Sequence, residues 1–193
     1  MTVTLHHDDV MVRPMKESDI KRLWKLTTPQ TFLYMLNEIK TFEEFDKWMR
    51  DGFEQMENSN TTIVFVVAHS QTDELFGSTR IYNFDYTNKS CEIGSTYYGK
   101  NFQRTHINTT VKWLLFKYVF ETLGMIRVQL KTDEENLISQ KAIERIGATK
   151  EGILRNERIR STGRPRNAVL YSIIQEEWKL IKYKLEERMH NYT

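Results

Sequence analysis

Apolar positions along the chain recur with two different periods, and the order in which these periods alternate sets the expected fold. Val10 to Pro14 reads as a short strand, after which Ser18 is placed to cap a helix running to about Leu26 with Ile20, Leu23 and Trp24 on its apolar side. A second helical piece is expected near Gln30 to Leu36. Thr41 and Glu44 form a T-x-x-E capping box, and Phe42, Phe45, Trp48, Met49 and Phe53 follow at helical spacing, so a helix is expected to about Glu57. Thr61 to Ala68 and Leu75 to Tyr82 are strands joined by the polar turn Ser70-Gln71-Thr72-Asp73, with a bend at Gly77, and Ser90 to Tyr97 is a third. Thr105 to Leu123 gives the strongest helix signal, because Ile107, Val111, Leu114, Leu115, Tyr118 and Val119 share one stripe and Gly124 stands at the C-cap position. A strand from Ile126 to Lys131 and a helix from Glu135 to Ile146, stopped by Gly147, come next. Ala148 to Arg158 and Pro165 to Ile174 are strands flanking the turn Ser161-Thr162-Gly163-Arg164, and Trp178, Ile181, Leu185 and Met189 mark a terminal helix over about 175–190.

Runs of neighbouring strands imply antiparallel pairing, whereas the strand-helix-strand unit from Ser90 to Lys131 requires a right-handed parallel crossover. The expected class is therefore α+β: a mixed, mostly antiparallel central sheet of about seven strands with one parallel junction, flanked by helices. The 193 residues, with neither repeat nor linker, are expected to form a single domain over 1–193 with its core at about 10–178. Where parallel neighbours diverge, their carboxyl ends open a crevice faced by a helix N-terminus, a common anion site.

Composition narrows the class. Hydrophobic residues at 39% with 8 Gly and 3 Pro exclude collagen-like, low-complexity and wholly disordered chains. No apolar run approaches a membrane span, and His6, His7, Asp8 and Asp9 occupy the place of a signal peptide's apolar core, so a cytoplasmic protein is expected. The one cysteine, Cys91, can form neither an internal disulfide nor a cysteine-based zinc site. The net charge of +2 is too balanced to indicate a nucleic-acid binder. Residues 1–96 nevertheless hold 10 basic and 15 acidic side chains, net −5, and residues 97–193 hold 18 and 11, net +7, so the second half is the one suited to meet an anion.

Four elements carry the candidate chemistry: the strand Cys91-Glu92-Ile93-Gly94-Ser95, the loop Gln103-Arg104-Thr105-His106-Ile107-Asn108-Thr109, the Asn136-x-x-Ser139 pair, and the tail from Glu151-Gly152-Ile153-Leu154-Arg155 to Trp178. With N-x-x-S, A-I-x-R-I-G-A and E-G-x-L-R in order over Asn136 to Arg155, the chain resembles the GNAT superfamily of acyl-coenzyme A dependent N-acetyltransferases. The resemblance runs from about Val12 to Trp178 and is strongest to the bacterial group that acetylates ribosomal-protein N-termini. It implies a splayed parallel junction in which Ile93, Gly94 and Ser95 offer backbone groups to pantetheine and thioester. The loop from Gln103 through Arg104, Thr105, His106, Ile107 and Asn108 to Thr109 would then hold the pyrophosphate. Asn136 would bond the pantetheine amides, Glu92 would act as general base, and Ser139 would protonate the departing thiolate. The loop departs from the family's Q/R-x-x-G-x-G/A pattern in having no glycine.

Each role has a plainer counterpart: a solvated arginine, a strand glutamate paired with a base, an Asn helix cap, a first-turn serine. The resemblance implies an enzyme using acetyl-CoA as co-substrate, with no metal and no covalent intermediate, and a protein N-terminal amine as acceptor. A small amine (polyamine, amino acid or antibiotic) is the competing acceptor, and a silent acyl-CoA-binding or partner-binding module the competing class. No membrane partner or direct nucleic-acid contact is expected, and a homodimer is left open. His6-His7-Asp8-Asp9 reads as a mobile polar terminus rather than a metal site. Arg155, Arg158, Arg160, Arg164 and Arg166 lack the interleaved aromatics that RNA stacking needs. Trp24, Phe32 and Tyr34 suit an acceptor lid, although aromatic stripes are more often core.

Overall fold

The computed structural model describes residues 3–59 and 61–191. In chain order the elements are β1 (Leu5–His7), β2 (Val10–Pro14), α1 (Ile20–Trp24), α2 (Phe42–Asn58), β3 (Thr62–His69), β4 (Leu75–Asp85), β5 (Ser90–Tyr98), α3 (Ile107–Lys117), β6 (Arg127–Asp133), α4 (Leu137–Arg145), β7 (Thr149–Ile159), β8 (Pro165–Ile174) and α5 (Gln175–His190). The strands form one sheet in the order β1-β2-β3-β4-β5-β6-β8-β7, and every pairing is antiparallel except β5 with β6. β3, Thr-Ile-Val-Phe-Val-Val-Ala-His, is buried almost throughout, because helices cover both faces of the sheet and leave no solvent side for polar residues.

The two faces carry two apolar cores. Val12, Phe65, Ile81, Ile93, Val128 and Tyr171 point to the face packed by α3, α4 and α5, whereas Val64, Val66 and Tyr97 point to the face packed by α1 and α2. On the second face Phe32, Phe45, Trp48 and Tyr97 form an aromatic cluster with ring centroids 5.9–6.4 Å apart. Phe32 is therefore a core residue, while Trp24 and Tyr34 are only half-buried at its margin. No helix among the described residues is long and apolar enough to cross a membrane.

The structure departs from the sequence expectations in four places. There are eight strands: the segment expected to be mobile forms β1, which turns into β2 at Asp8 (φ 51°) and sets the His7 ring 4.9 Å from Trp113. Ser18 is not a cap. The Asp19 carboxylate accepts from the Lys16 N–H at 2.9 Å and from Arg13 at 2.7 and 2.9 Å, so the first turn is a short 3₁₀ segment, Glu17–Asp19, ahead of α1. The piece expected from Gln30 to Leu36 shrinks to the 3₁₀ turn Pro29–Phe32. The long helix from Thr105 is α-helical only to Lys117 and continues as a π-helical turn, Tyr118–Thr122, before Gly124 (φ 63°). The bend expected at Gly77 is a bulge, with Val67 and Ala68 facing Gly77 and Leu75, and it is also a close approach, since a Cβ there would lie 2.1 Å from the Tyr97 carbonyl oxygen.

β6 is fixed laterally. Arg127 on β6 grips Glu151 on β7 through two hydrogen bonds of 2.7 and 2.6 Å, and Ser172 on β8 donates to the same carboxylate at 2.7 Å. The Arg127 guanidinium and then the Ser172 hydroxyl pull the Glu151 carboxyl down to about 2. Because the folded value lies below the unfolded one, this contribution is present above the ordinary glutamate range and is lost as pH falls toward 2. Glu151→Gln should lower the melting temperature at pH 7 by about 1–4 °C, the range for a partly exposed bidentate pair in a chain of this length. Scanning calorimetry from pH 7 to pH 2 should show the gap to wild type closing as the pH falls.

Candidate functional site

β5 and β6 are paired over three rows only: Ser90 with Arg127, Cys91 with Val128, and Glu92 with Gln129. Beyond Glu92, β5 stays on β4 and β6 stays on β8, so the two parallel neighbours part toward their carboxyl ends. A bulge in β5 accompanies the parting. Ser78 and Arg80 face Tyr97 and Gly94, which places Ser95 and Thr96 opposite Thr79 alone, and Ser95 takes φ 49°. Gly94 is required there, as a Cβ would stand 2.4 Å from the Tyr82 hydroxyl. The Ile93 side chain belongs to the α3-side core, so what Ile93, Gly94 and Ser95 present to the opening is backbone.

The loop after β5 leads to the N-terminus of α3. Arg104 takes a positive φ, 62°, whereas His106, at the first glycine position of the family pattern, has a helical φ of −62°; the Arg104 side chain is exposed with no ion pair among the described residues. Gln103 donates to the Tyr98 carbonyl at 3.0 Å, Thr105 Oγ1 donates to the Phe102 carbonyl at 2.8 Å, and His106 Nε2 lies 3.0 Å from Asp9 Oδ1. Ile107 and Thr109 are buried, and Asn108 Oδ1 accepts from the Tyr98 hydroxyl at 3.2 Å. The N-cap of α3, His106, makes no side-chain cap bond; the Ile107 N–H donates to Thr105 Oγ1 at 3.3 Å, while the Asn108 and Thr109 N–H groups have no internal partner among the described residues.

At the end of β6, Asn136 caps α4, its Oδ1 accepting from the Ser139 N–H at 3.0 Å. The plainer role open to Asn136 is thus realised for its oxygen, while its amide N–H groups remain available. Ser139 is half-buried, and its hydroxyl has no hydrogen-bond partner among the described residues.

Glu92 projects to the α1 and α2 face, 5% exposed. Tyr82 donates to Oε1 at 3.0 Å, Asn83 donates to Oε2 at 3.3 Å, and Lys131 of β6 stands 3.0 Å from Oε2. Lys131 also donates to Glu157 at 3.2 Å, so one ammonium bridges β5 and β7 just past the last paired row of the junction. Burial and then the Glu92 charge hold the Tyr82 phenol well above the usual tyrosine range, so it stays a donor. Part of the arginine cluster is consumed nearby: Arg160 and Arg166 lie 2.5 and 3.2 Å from Asp133, and Arg158 lies 3.2 Å from Glu157. Arg80, facing Gly94, is buried beneath Trp48, with its guanidinium carbon 4.2 Å from the ring centroid. It has no carboxylate partner among the described residues, and burial brings its pKa down to about 10.

Tyr82, Lys131 and Arg80 were not legible as site residues, because each depends on strand register; the alternation of β4 is the signal that puts Arg80 and Tyr82 on one face. Cys91 faces the core, and burial pushes its thiol up to about 12, which removes it as a neutral-pH nucleophile. The described residues hold no group of three or more His, Cys, Asp or Glu side chains arranged for a metal.

Comparison with known proteins matches this geometry. "Uncharacterized N-acetyltransferase p20" of Bacillus licheniformis is 27% identical over 118 residues, 59% of this chain and 63% of the relative. "Putative ribosomal N-acetyltransferase YdaF" of Bacillus subtilis (strain 168) is 32% identical over 105 residues, 54% of this chain and 56% of the relative. The matched stretches thus span less than two thirds of either relative. The crystal structure of a GCN5-related N-acetyltransferase from Brucella melitensis superposes with a TM-score of 0.87 at 25% identity, covering 97% of this chain and 85% of that one. The family model for the acetyltransferase (GNAT) domain matches residues 9–149, a stretch that takes in the parallel junction and both helix N-termini facing it, and the chain belongs to that family.

Proposed function

We propose that the chain, acting as one catalytic domain, transfers an acetyl group from acetyl-CoA to a primary amine by direct attack in a ternary complex, the acceptor being a protein N-terminal α-amine. The observation that carries this reading is the parting of β5 from β6 after Glu92, with the N-terminus of α3 and its unpartnered Asn108 and Thr109 N–H groups beyond it. Two strand edges with free backbone groups suit a pantetheine arm, and outward N–H groups beside an unpaired Arg104 suit a pyrophosphate. Acetyl-CoA supplies a thioester carbonyl as electrophile. Asn136 offers its amide N–H groups and Ser139 its unengaged hydroxyl on one face of α4, beside the arm.

On the other face Glu92 is the base. Its carboxylate already holds an ammonium, that of Lys131, at 3.0 Å, and the same geometry lets it take a proton from an acceptor amine. Glu157 shares that ammonium, and the net −5 of residues 1–96 favours a cationic acceptor. The Bacillus subtilis relative is named a "Putative ribosomal N-acetyltransferase", which supports a ribosomal-protein N-terminus as acceptor. Thiol release from acetyl-CoA in the presence of peptides with free N-termini, against a polyamine panel, tests the choice: turnover with polyamines alone moves the acceptor to the small-amine class, and no turnover with any amine removes the transferase reading.

Three substitutions probe the roles. Glu92→Gln should lower kcat by about 10²–10⁴-fold while the Kd for acetyl-CoA, read by calorimetry, stays unchanged. Full activity at neutral pH would mean that the amine loses its proton elsewhere. Ser139→Ala should lower kcat by about 10- to 1000-fold with little change in Kd, since protonating a thiolate leaving group helps without being obligatory. Arg104→Ala should weaken acetyl-CoA binding by about 10- to 100-fold with kcat at saturation retained, the worth of one charge-assisted bond to phosphate.

A further inference from the structure

Lys112 lies one turn along α3 from Asn108, and the two side chains meet alternate residues of β5. Asn108 takes the Tyr98 hydroxyl, and Lys112 Nζ donates to Thr96 Oγ1 at 2.9 Å. Thr96 Oγ1 stands 2.7 Å from Thr79 Oγ1 of β4, and the two hydroxyls lie 3.4 and 3.5 Å from the Gly94 carbonyl oxygen. When protonated, Lys112 can only donate, so Thr96 then accepts from it and its own proton runs on toward Thr79 or Gly94. The hydroxyl dipoles are thereby aligned in one direction, from the cation to the carbonyl at the bulge.

That carbonyl faces β4. The N–H of Ser95, at the other end of the same trans peptide, faces away from β4, and on that side β5 has no strand partner beyond Glu92.

Lys112 is buried, and no carboxylate faces it among the described residues. Charged groups on the neighbouring elements are engaged elsewhere: Glu186 of α5 accepts from Trp113, Asp9 of the β1–β2 turn pairs with His106, and Lys117 lies over the Trp113 ring. Burial brings the Lys112 ammonium down to about 7, so folding around it costs stability that an apolar residue would not. A destabilising group retained beside a reaction crevice is the expected mark of a functional constraint.

We propose that Lys112 is a positioning residue for acetyl transfer: through Thr96 and Thr79 its ammonium fixes the β5 bulge and polarises the Gly94–Ser95 peptide, so that the Ser95 N–H meets the negative charge that develops on the thioester oxygen. The inference rests on the transferase reading above. In that step the acceptor nitrogen forms a bond to the thioester carbon and the carbonyl π pair moves to oxygen. The pair returns as the C–S bond breaks, the amine proton goes to Glu92, and the sulfur leaves as thiolate to be protonated as the thiol. The Ser95 N–H acts while the charge is on oxygen, where one well-placed donor has its largest effect.

The test uses Lys112→Met, which keeps the stem and removes the charge, together with Thr96→Val and Thr96→Ser. Lys112→Met should lower kcat by about 10- to 100-fold, below the loss for removing a direct oxyanion donor, with the Kd for acetyl-CoA within about twofold. Thr96→Val should match it, the double variant should lose no more than either, and Thr96→Ser should recover most of the rate. In ¹⁵N–¹H spectra of the ligand-free protein, Lys112→Met should move the Ser95 amide resonance. Its melting temperature at pH 7 should be no lower than wild type. The unfolded chain keeps this lysine proton up to 10.5 and the folded chain only to about 7, so wild-type stability should rise with pH across that window and the variant's should lack the rise. An unmoved Ser95 resonance overturns the proposal whatever the rates show. So does a kcat equal to wild type, or a Kd that weakens in step with kcat. Absence of turnover in wild type alongside a moved resonance would instead count against the transferase reading while upholding the coupling of Lys112 to Ser95.

Discussion

Everything at the site depends on a mismatch between two strands that run side by side and then stop pairing. A backbone N–H or C=O that leaves a sheet must find water, a side chain or a ligand, and the cost of leaving it unmet is comparable to a lost hydrogen bond. β5 and β6 share three rows and part, while β4 and β8 hold each of them on its outer side. The sheet therefore cannot close the gap by sliding. Arg127 with Glu151 anchors β6 sideways, and the Lys112 chain anchors the β5 bulge from beneath, so the opening is held by contacts that lie outside it.

The segments that the sequence made legible are those whose signals are local. The Thr41 to Glu44 box caps α2 as its spacing demands, and Gly124 and Gly147 take positive φ where helices had to end. Ser18 misled because its neighbour Asp19 is claimed by Arg13 on β2, a contact no capping rule contains. β1 was missed for a similar reason: His7 meets the Trp113 ring of α3, and Asp9 of the following turn pairs with His106 at the N-cap of that helix, both remote in the chain. At the candidate site, Glu92, Asn136 and the loop from Gln103 to Thr109 are proposed from motif order. Lys131 required knowing that Glu92 pairs with Gln129, which brings the residue two positions further along β6 onto the same face. Lys112 required knowing which side of α3 meets β5, since a lysine in a helix otherwise reads as solvated.

The loop shows how a backbone does without the glycines of the family pattern. His106 and Asn108 stand at those positions in helical conformation and the left-handed residue falls at Arg104 instead, while Thr105, His106 and Asn108 tie the loop to Phe102, Asp9 and Tyr98. Tethering from several sides does the work that conformational freedom does elsewhere.

The sheet separates two sets of side chains that could otherwise interfere. Thr79, Thr96 and Lys112 lie beneath α3, whereas Arg80, Tyr82, Glu92, Lys131 and Glu157 lie on the side of α1 and α2. A substitution at Glu92, Lys131 or Glu157 alters charge and shape where the proposed acceptor amine would arrive without touching the Thr79, Thr96 and Lys112 contacts beneath the bulge. Selection can therefore rewrite the preference for one amine over another while the acyl-handling half of the molecule drifts only slowly. Two descendants of one ancestral gene could then keep nearly superposable backbones and yet act on unrelated molecules in the same cell.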